Sequence, residues 1–273
     1  MKHLIPFRIY EAQTTSGLTK RQVQFLIKYI TGSWSVNPTT GLVDVQGHFD
    51  CSYVRVKLES FLGISFGHVS GDFDCSWNRL TSLEGAPQTV DGSFNCERNQ
   101  LTSLEGAPQT VGGYFNCSHN KLKSLEGAPQ TVGRDFWCDE NQLQTLEGAP
   151  QTVNADFRCY NNQLTSLEGA PLTVGDYFKC DEFRLDQGKW NMEGWVEVLN
   201  TGSEKARKLI STLPWIQPDW WNSELQRDPG KTVHLLATVW KHMPKDMQSA
   251  IKIPRGYEGD LELFSGFHEL GLF

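Results

Sequence analysis

The chain repeats itself with a fixed period. Cys51, Cys75, Cys96, Cys117, Cys138, Cys159 and Cys180 are separated once by 24 residues and five times by 21. The same phrase recurs around each, for example Phe115-Asn-Cys-Ser-His-Asn-Lys-Leu-Lys-Ser-Leu-Glu-Gly-Ala-Pro129. A period of this length marks a solenoid, in which no unit can bury its apolar face alone and neighbours stack into one continuous core. The period also sorts residues. Some recur because stacking demands them, and others change from unit to unit and are free to carry function.

Three regions follow. Residues 1–44 are not repetitive, residues 45–185 hold about seven units, and residues 186–273 differ in composition, with six of the nine tryptophans. In the first region Thr19 and Gln22 have capping-box spacing, and Val23, Leu26, Ile27 and Ile30 follow at helical intervals. Gly32 is a plausible C′ stop. Ser33–Val36 and Leu42–Val45 then flank Asn37-Pro-Thr-Thr-Gly41 as a hairpin. A helix and hairpin suit the cap that an open solenoid needs over its first layer. The last region reads as helices near 190–200, 203–213, 218–227 and 230–243, punctuated by Pro214, Pro218, Pro229 and Pro244. It serves as the opposite cap.

Within a unit the phrase is Val-x-Gly-x-Phe-x-Cys-x-x-Asn-x-Leu-x-Ser-Leu-Glu-Gly-Ala-Pro-Gln-Thr. Phe and Cys alternate inward with variable neighbours, as in a short strand. Asn78, Asn99, Asn120, Asn141 and Asn162 satisfy backbone groups where the chain turns out of that strand. Seven cysteines, an odd number, one per rung, with no paired Cys-x-x-Cys motif, read as free core thiols rather than disulfides or a metal site. No cofactor or metal is expected.

The repeat resembles the leucine-rich repeat, with Phe and Cys in place of its two strand leucines. The form Asn-x-Leu-Thr-Ser-Leu-Glu-Gly-Ala-Pro is similar to short repeat proteins encoded by bacteriophages. The resemblance implies an α/β-type repeat solenoid with a parallel sheet on its concave face, and a phage product acting in the host cytoplasm. It implies no activity. Bacterial effectors with similar repeats can end in a cysteine-dependent ubiquitin ligase, but here no cysteine follows Cys180.

The variable strand positions then become the candidate partner-binding residues. Before each Phe stand Asp72, Tyr114, Asp135, Asp156 and Tyr177 among others; between Phe and Cys stand Asp50, Asp74, Asn116, Trp137, Arg158 and Lys179. After Cys come Glu97, Asp139 and Tyr160, and one further on come Tyr53, Trp77, Arg98, His119 and Glu140. Two readings of this diversity stand side by side: selection for a partner, or the tolerance of any solvent-facing strand. Residue type favours the first, because Tyr, Trp and Arg are the types enriched in binding hot spots.

An acidic face with aromatic anchors fits a protein bearing basic and apolar groups. With a net charge of −7 the chain repels the phosphates of nucleic acid and of anionic membranes. The N-terminal stretch lacks a secretory h-region, and no run of 18 apolar residues suggests a spanning helix. No catalytic motif appears around the seven histidines. The expectation is a non-enzymatic module that binds and inhibits or redirects a host protein. Its rivals are binding through the C-terminal region with the repeats as spacer, a small-molecule or enzymatic function on the scaffold, and a structural virion component.

Overall fold

The computed structural model describes residues 17–54, 60–171, 173–181, 183–185, 203–205, 209, 218–240 and 245–256. Helix α1 (Lys20–Tyr29) begins with the expected capping box. Gln22 N–H donates to Thr19 Oγ1 at 3.3 Å, and Thr19 N–H donates to Gln22 Oε1 at 2.8 Å. Both bonds satisfy donors that a helix start leaves orphaned. Val23, Phe25 and Leu26 turn into the core.

Gly32 does not stop this helix. Ile30 already has extended backbone, and Gly32 lies inside strand β1 (Ile30–Val36), opposite Gly47 of the antiparallel β2 (Val43–Asp50). A Cβ on Gly32 would sit 2.1 Å from the Gln46 carbonyl oxygen, and one on Gly47 would sit 2.0 Å from that of Thr31. Both positions have positive φ, so close approach and backbone region together require glycine there.

Strand β2 founds the solenoid. Its first half pairs in parallel with β3 (Phe66–Val69), and its Phe49–Asp50 half pairs in parallel with β4 (Phe73–Asp74). Two columns of two-residue parallel strands run on from there. One is β5 (Thr89–Val90), β7 (Thr110–Val111), β9 (Thr131–Val132), β11 (Thr152–Val153) and β13 (Thr173–Val174). The other is β6 (Phe94–Asn95), β8 (Phe115–Asn116), β10 (Phe136–Trp137), β12 (Phe157–Arg158) and β14 (Phe178–Cys180). Strand β15 (Phe183–Leu185) ends the second column, antiparallel to β14.

Each turn therefore carries two strands, where the sequence pattern shows only the one at Phe-x-Cys. Among the described residues the array contains no α-helix. It is a parallel β-solenoid rather than an α/β alternation. Helices recur later as α2 (Pro218–Arg227), α3 (Pro229–Trp240) and α4 (Lys245–Ala250). The expected helix at 190–200 and most of that at 203–213 lie outside the described residues. No helix among the described residues is long and apolar enough to cross a membrane.

The core is a set of ladders. Phe49, Phe73, Phe94, Phe115, Phe136, Phe157 and Phe178 are fully buried. Their rings stack at 4.6 Å in the first step and 5.3–5.4 Å in the next five, about six turns in all. Beside them the seven cysteines are buried and free. Cys75, Cys96, Cys117, Cys138 and Cys159 donate from sulfur to a carbonyl of the next turn at 3.1–3.4 Å. Burial pushes these thiols up, and the reactive form of cysteine is the thiolate. They pack as small hydrophobes. No cluster of metal-ligating side chains occurs among the described residues.

A third ladder is made of asparagine. Asn120 Nδ2 donates to the carbonyls of Cys96, Cys117 and Ser118 at 3.0–3.2 Å, and its Oδ1 accepts from Leu101 N–H at 3.0 Å. Asn99 and Asn141 repeat this set in their own turns. One side chain thus ties its own turn to the preceding one.

Candidate functional site

The variable residues fall into four columns, one residue per turn, and the structure gives each column a different job. The column before Phe is largely a backbone device. Asp72 Oδ1 accepts from Ser93 N–H at 2.8 Å, Asp135 Oδ1 from Asp156 N–H at 3.0 Å, and Asp156 Oδ1 from Tyr177 N–H at 3.2 Å. Between the two strands of a turn the ladder is interrupted, and the side chain of the preceding turn takes the amide. His48 and Ser93 accept in the same way. These aspartates are less free for a partner than the sequence implies.

In the column between Phe and Cys, Asp50, Asp74, Asn95 and Asn116 each accept, through Oδ1, from the amide two residues on, at 2.8–3.1 Å. These Asx turns lead the chain out of the strand. Trp137, Arg158 and Lys179 occupy the same position in later turns and carry different chemistry. The Tyr114 and Trp137 rings stack at 5.1 Å with planes 11° apart, and the Arg158 guanidinium lies 4.7 Å from the Trp137 ring. Arg158 and Lys179 both donate to Asp156 Oδ2, at 2.9 and 2.8 Å, and Lys179 lies 4.6 Å from the Tyr177 ring. Burial opposes ionisation of Asp156, but the bonds from Lys179 and Arg158 outweigh it and hold its carboxyl below the usual range.

The residue one beyond each post-Cys position does not alternate outward from a strand, as the sequence reading has it. Tyr53, Trp77, Arg98, His119, Glu140 and Asn161 all have φ between +52° and +56°. That is the left-handed turn region. The six form a continuous edge along the array. Tyr53 and Trp77 stack at 5.0 Å, and Arg98 lies 4.3 Å from the Trp77 ring and 3.2 Å from His119 Nε2. His119 Nδ1 lies 3.3 Å from Glu140 Oε2, and Asn161 Nδ2 donates to Glu140 Oε1 at 3.2 Å. Among the described residues of the array, Tyr53 and Trp77 are the exposed large hydrophobics, at 58% and 38%. The sequence reading omits Asn161 from the candidate site, although its spacing from Cys159 matches that of Glu140 from Cys138.

In the post-Cys column, Glu97 reaches Arg98 Nε at 3.1 Å and accepts from Asn116 at 3.3 Å. Asp139 is buried at 7% exposure. Its Oδ2 accepts from Ser118 Oγ at 3.1 Å, while its Oδ1 and the nearby-numbered Trp137 Nε1 are buried with no hydrogen-bond partner among the described residues. Burial pushes the Asp139 carboxyl up to about 6; hydrogen bonds from Ser118 and Tyr160 and the charges of Arg158 and His119 offset this only partly.

A carboxyl with a raised folded-state pKa contributes most to stability when protonated, and that contribution is lost as pH rises through the folded value. The free energy of unfolding, read from denaturant titrations, should therefore fall between about pH 4 and pH 7 by an amount on the order of 2–3 kcal/mol, given about 1.4 kcal/mol per pKa unit. Asp139→Asn should abolish this decline and be the more stable protein at pH 8. Parallel pH profiles for the two proteins would show that Asp139 is ionised without penalty.

Comparison of the chain with protein-family models, with curated proteins and with solved structures gives no match.

Proposed function

We propose that the chain is a non-enzymatic, leucine-rich-repeat-like binding module, encoded by a bacteriophage, that binds and inhibits or redirects a host protein in the host cytoplasm. The repeat phrase carries the phage and leucine-rich-repeat parts of this reading. One observation carries the binding part. Each of the five units from Cys75 to Cys159 has two left-handed turn positions, and the chain treats them oppositely. In the Gly-Ala-Pro turn it places glycine each time, at Gly85, Gly106, Gly127, Gly148 and Gly169, with φ of +81° to +89°. At the other it never does so, although a side-chain-bearing residue in this region costs roughly 1–2 kcal/mol.

Tyr, Trp, Arg, His, Glu and Asn accept that cost on successive turns. Stacking alone does not demand them, since each is different. A surface kept for what its side chains touch accounts for both the cost and the diversity. Three of its six residues, Tyr53, Trp77 and Arg98, are of the types enriched in protein hot spots.

Photo-crosslinking tests the reading. With a benzophenone amino acid in place of Arg98 or Glu140, a specific adduct with a host protein is expected in bacterial extract. The same group in place of the exposed Gln130, which precedes the Thr-Val column, should give none. Equal labelling from all three positions, or labelling from Gln130 alone, would show that this face is not the binding surface.

A further inference from the structure

The Tyr114–Trp137 pair has two flat faces along the solenoid axis, and only one carries a cation. The Arg158 guanidinium, from the next turn, covers Trp137 at 4.7 Å. In the preceding turn the positions that match Tyr114 and Asn116 hold the shorter Ser93 and Asn95: Tyr114 N–H donates to Ser93 Oγ at 3.3 Å, and Asn95 pairs in register with Asn116. Among the described residues no cation lies over the Tyr114 ring. The chain builds its own cation sites to one pattern. Arg98 lies over Trp77 with Glu97 at 3.1 Å, Arg158 over Trp137 with Asp156 at 2.9 Å, and Lys179 over Tyr177 with Asp156 at 2.8 Å.

The rung of Ser93 and Asn95 has the ring and the carboxylates of that pattern. Asn95 Nδ2 donates to Asp74 Oδ2 at 3.2 Å, Ser93 N–H donates to Asp72 Oδ1 at 2.8 Å, and Glu97 accepts at 3.3 Å from Asn116, which lies on the same turn as Tyr114. Burial first, and then the charges of Asp74, Asp72 and Glu97, raise the Tyr114 hydroxyl, so those carboxylates act on it directly. Asp74 has no cationic partner among the described residues, in contrast to Asp156 with two.

We propose that this rung of short side chains takes an arginine side chain from a basic segment of the partner, with its guanidinium flat on Tyr114 and its charge met chiefly by Asp74, since Glu97 already pairs with Arg98 and Asp72 lies 3.2 Å from His48. A planar guanidinium suits a slot one rung thick, between layers stacked at about 5 Å, and pairs with carboxylates through a fixed fork of donors. The proposal rests on the binding reading above and supplies the chemistry of its partner.

Fluorescence anisotropy with a labelled hexapeptide carrying two arginines, and with its citrulline counterpart, tests it. Saturable binding of the arginine peptide is expected, with the citrulline peptide weaker by about tenfold or more, as loss of a cation–π contact and its charge pairing implies. Tyr114→Phe should bind within about threefold of wild type, and Tyr114→Leu about tenfold more weakly. Asn95→Arg should abolish binding by filling the rung from within. That position already holds Arg158 and Lys179 in other turns, so this variant remains informative if Tyr114→Leu fails to fold.

Absence of saturable binding, equal binding of the citrulline peptide, or full binding by Asn95→Arg would overturn the proposal. If adducts still form from Arg98 and Glu140 in that case, the face binds a partner of other chemistry and the binding reading stands. If those adducts are absent as well, both fall.

Discussion

Phe115→Ala is expected to lower the free energy of unfolding by about 3–5 kcal/mol, the range for deleting a fully buried aromatic ring. Phe115 has no exposed surface, and its ring lies 5.4 Å from Phe94 and 5.3 Å from Phe136, stacked on both faces. The β8 rung is two residues wide and cannot reseat a neighbouring side chain into the space. In a solenoid each turn contacts only its neighbours, so stability is close to a sum of turn and interface contributions. The deletion removes ring contacts at two interfaces at once. Urea unfolding followed by circular dichroism should thus show a lower midpoint together with a broadened or split transition. Phe178→Ala, at the last rung of this phenylalanine ladder, where the ring stacks on Phe157, should cost less. Equal losses at the two sites would mean that the ring ladder is not coupled from turn to turn.

The parts of this architecture that sequence reveals are those that stacking makes identical. Phe, Cys, Leu and Asn recur at 21 residues because each rung presents the same interior to the next. The Thr-Val strands escape notice for a physical reason: two residues are too few to show a period-2 alternation. Gly32 misleads because a glycine demanded by close strand approach at Gly47 has the same letter as one that ends a helix.

The site is legible only in outline. The columns are found from the cysteine spacing, but what each column does is not. Asp72, Asp135 and Asp156 read as free charge, and the structure spends one oxygen of each on an amide of the next turn. A bond that spans 21 residues leaves no local mark. The left-handed turn at Trp77, Arg98, His119 and Glu140 is hidden for the opposite reason. Its signal is normally glycine, and here each such residue is something larger. The Asx turns at Asp74, Asn95 and Asn116 were the available clue, since Asp or Asn three residues before the left-handed residue prepares it.

That turn depends on the asparagine that follows it, and Asn120→Ala should accordingly cost about 2–4 kcal/mol. Asn120 is 8% exposed and supplies four hydrogen bonds. Ser118 O keeps a second donor in Arg98 N–H, so its loss is small. Cys96 O and Cys117 O likewise keep a donor each, from Asn99 and Asn141, so the main loss falls on the buried Leu101 N–H, and a buried group left unpaired costs about 1–3 kcal/mol. Asn120→Asp separates the two functions of the amide. It keeps an acceptor for Leu101 N–H but turns a carboxylate toward three carbonyls, so it should be at least as unstable as the alanine variant at pH 8. Its carboxyl would be raised in the folded state, so the deficit should shrink as pH falls and the group becomes a donor. A deficit that grows on acidification would contradict this geometry. Because Asn120 follows His119 directly, the same substitutions should release the left-handed turn and move His119 away from Arg98 and Glu140. Binding through that edge should then weaken more than the fraction of unfolded protein explains, since the asparagine ladder that holds the turns together also sets the height of each side chain on the face.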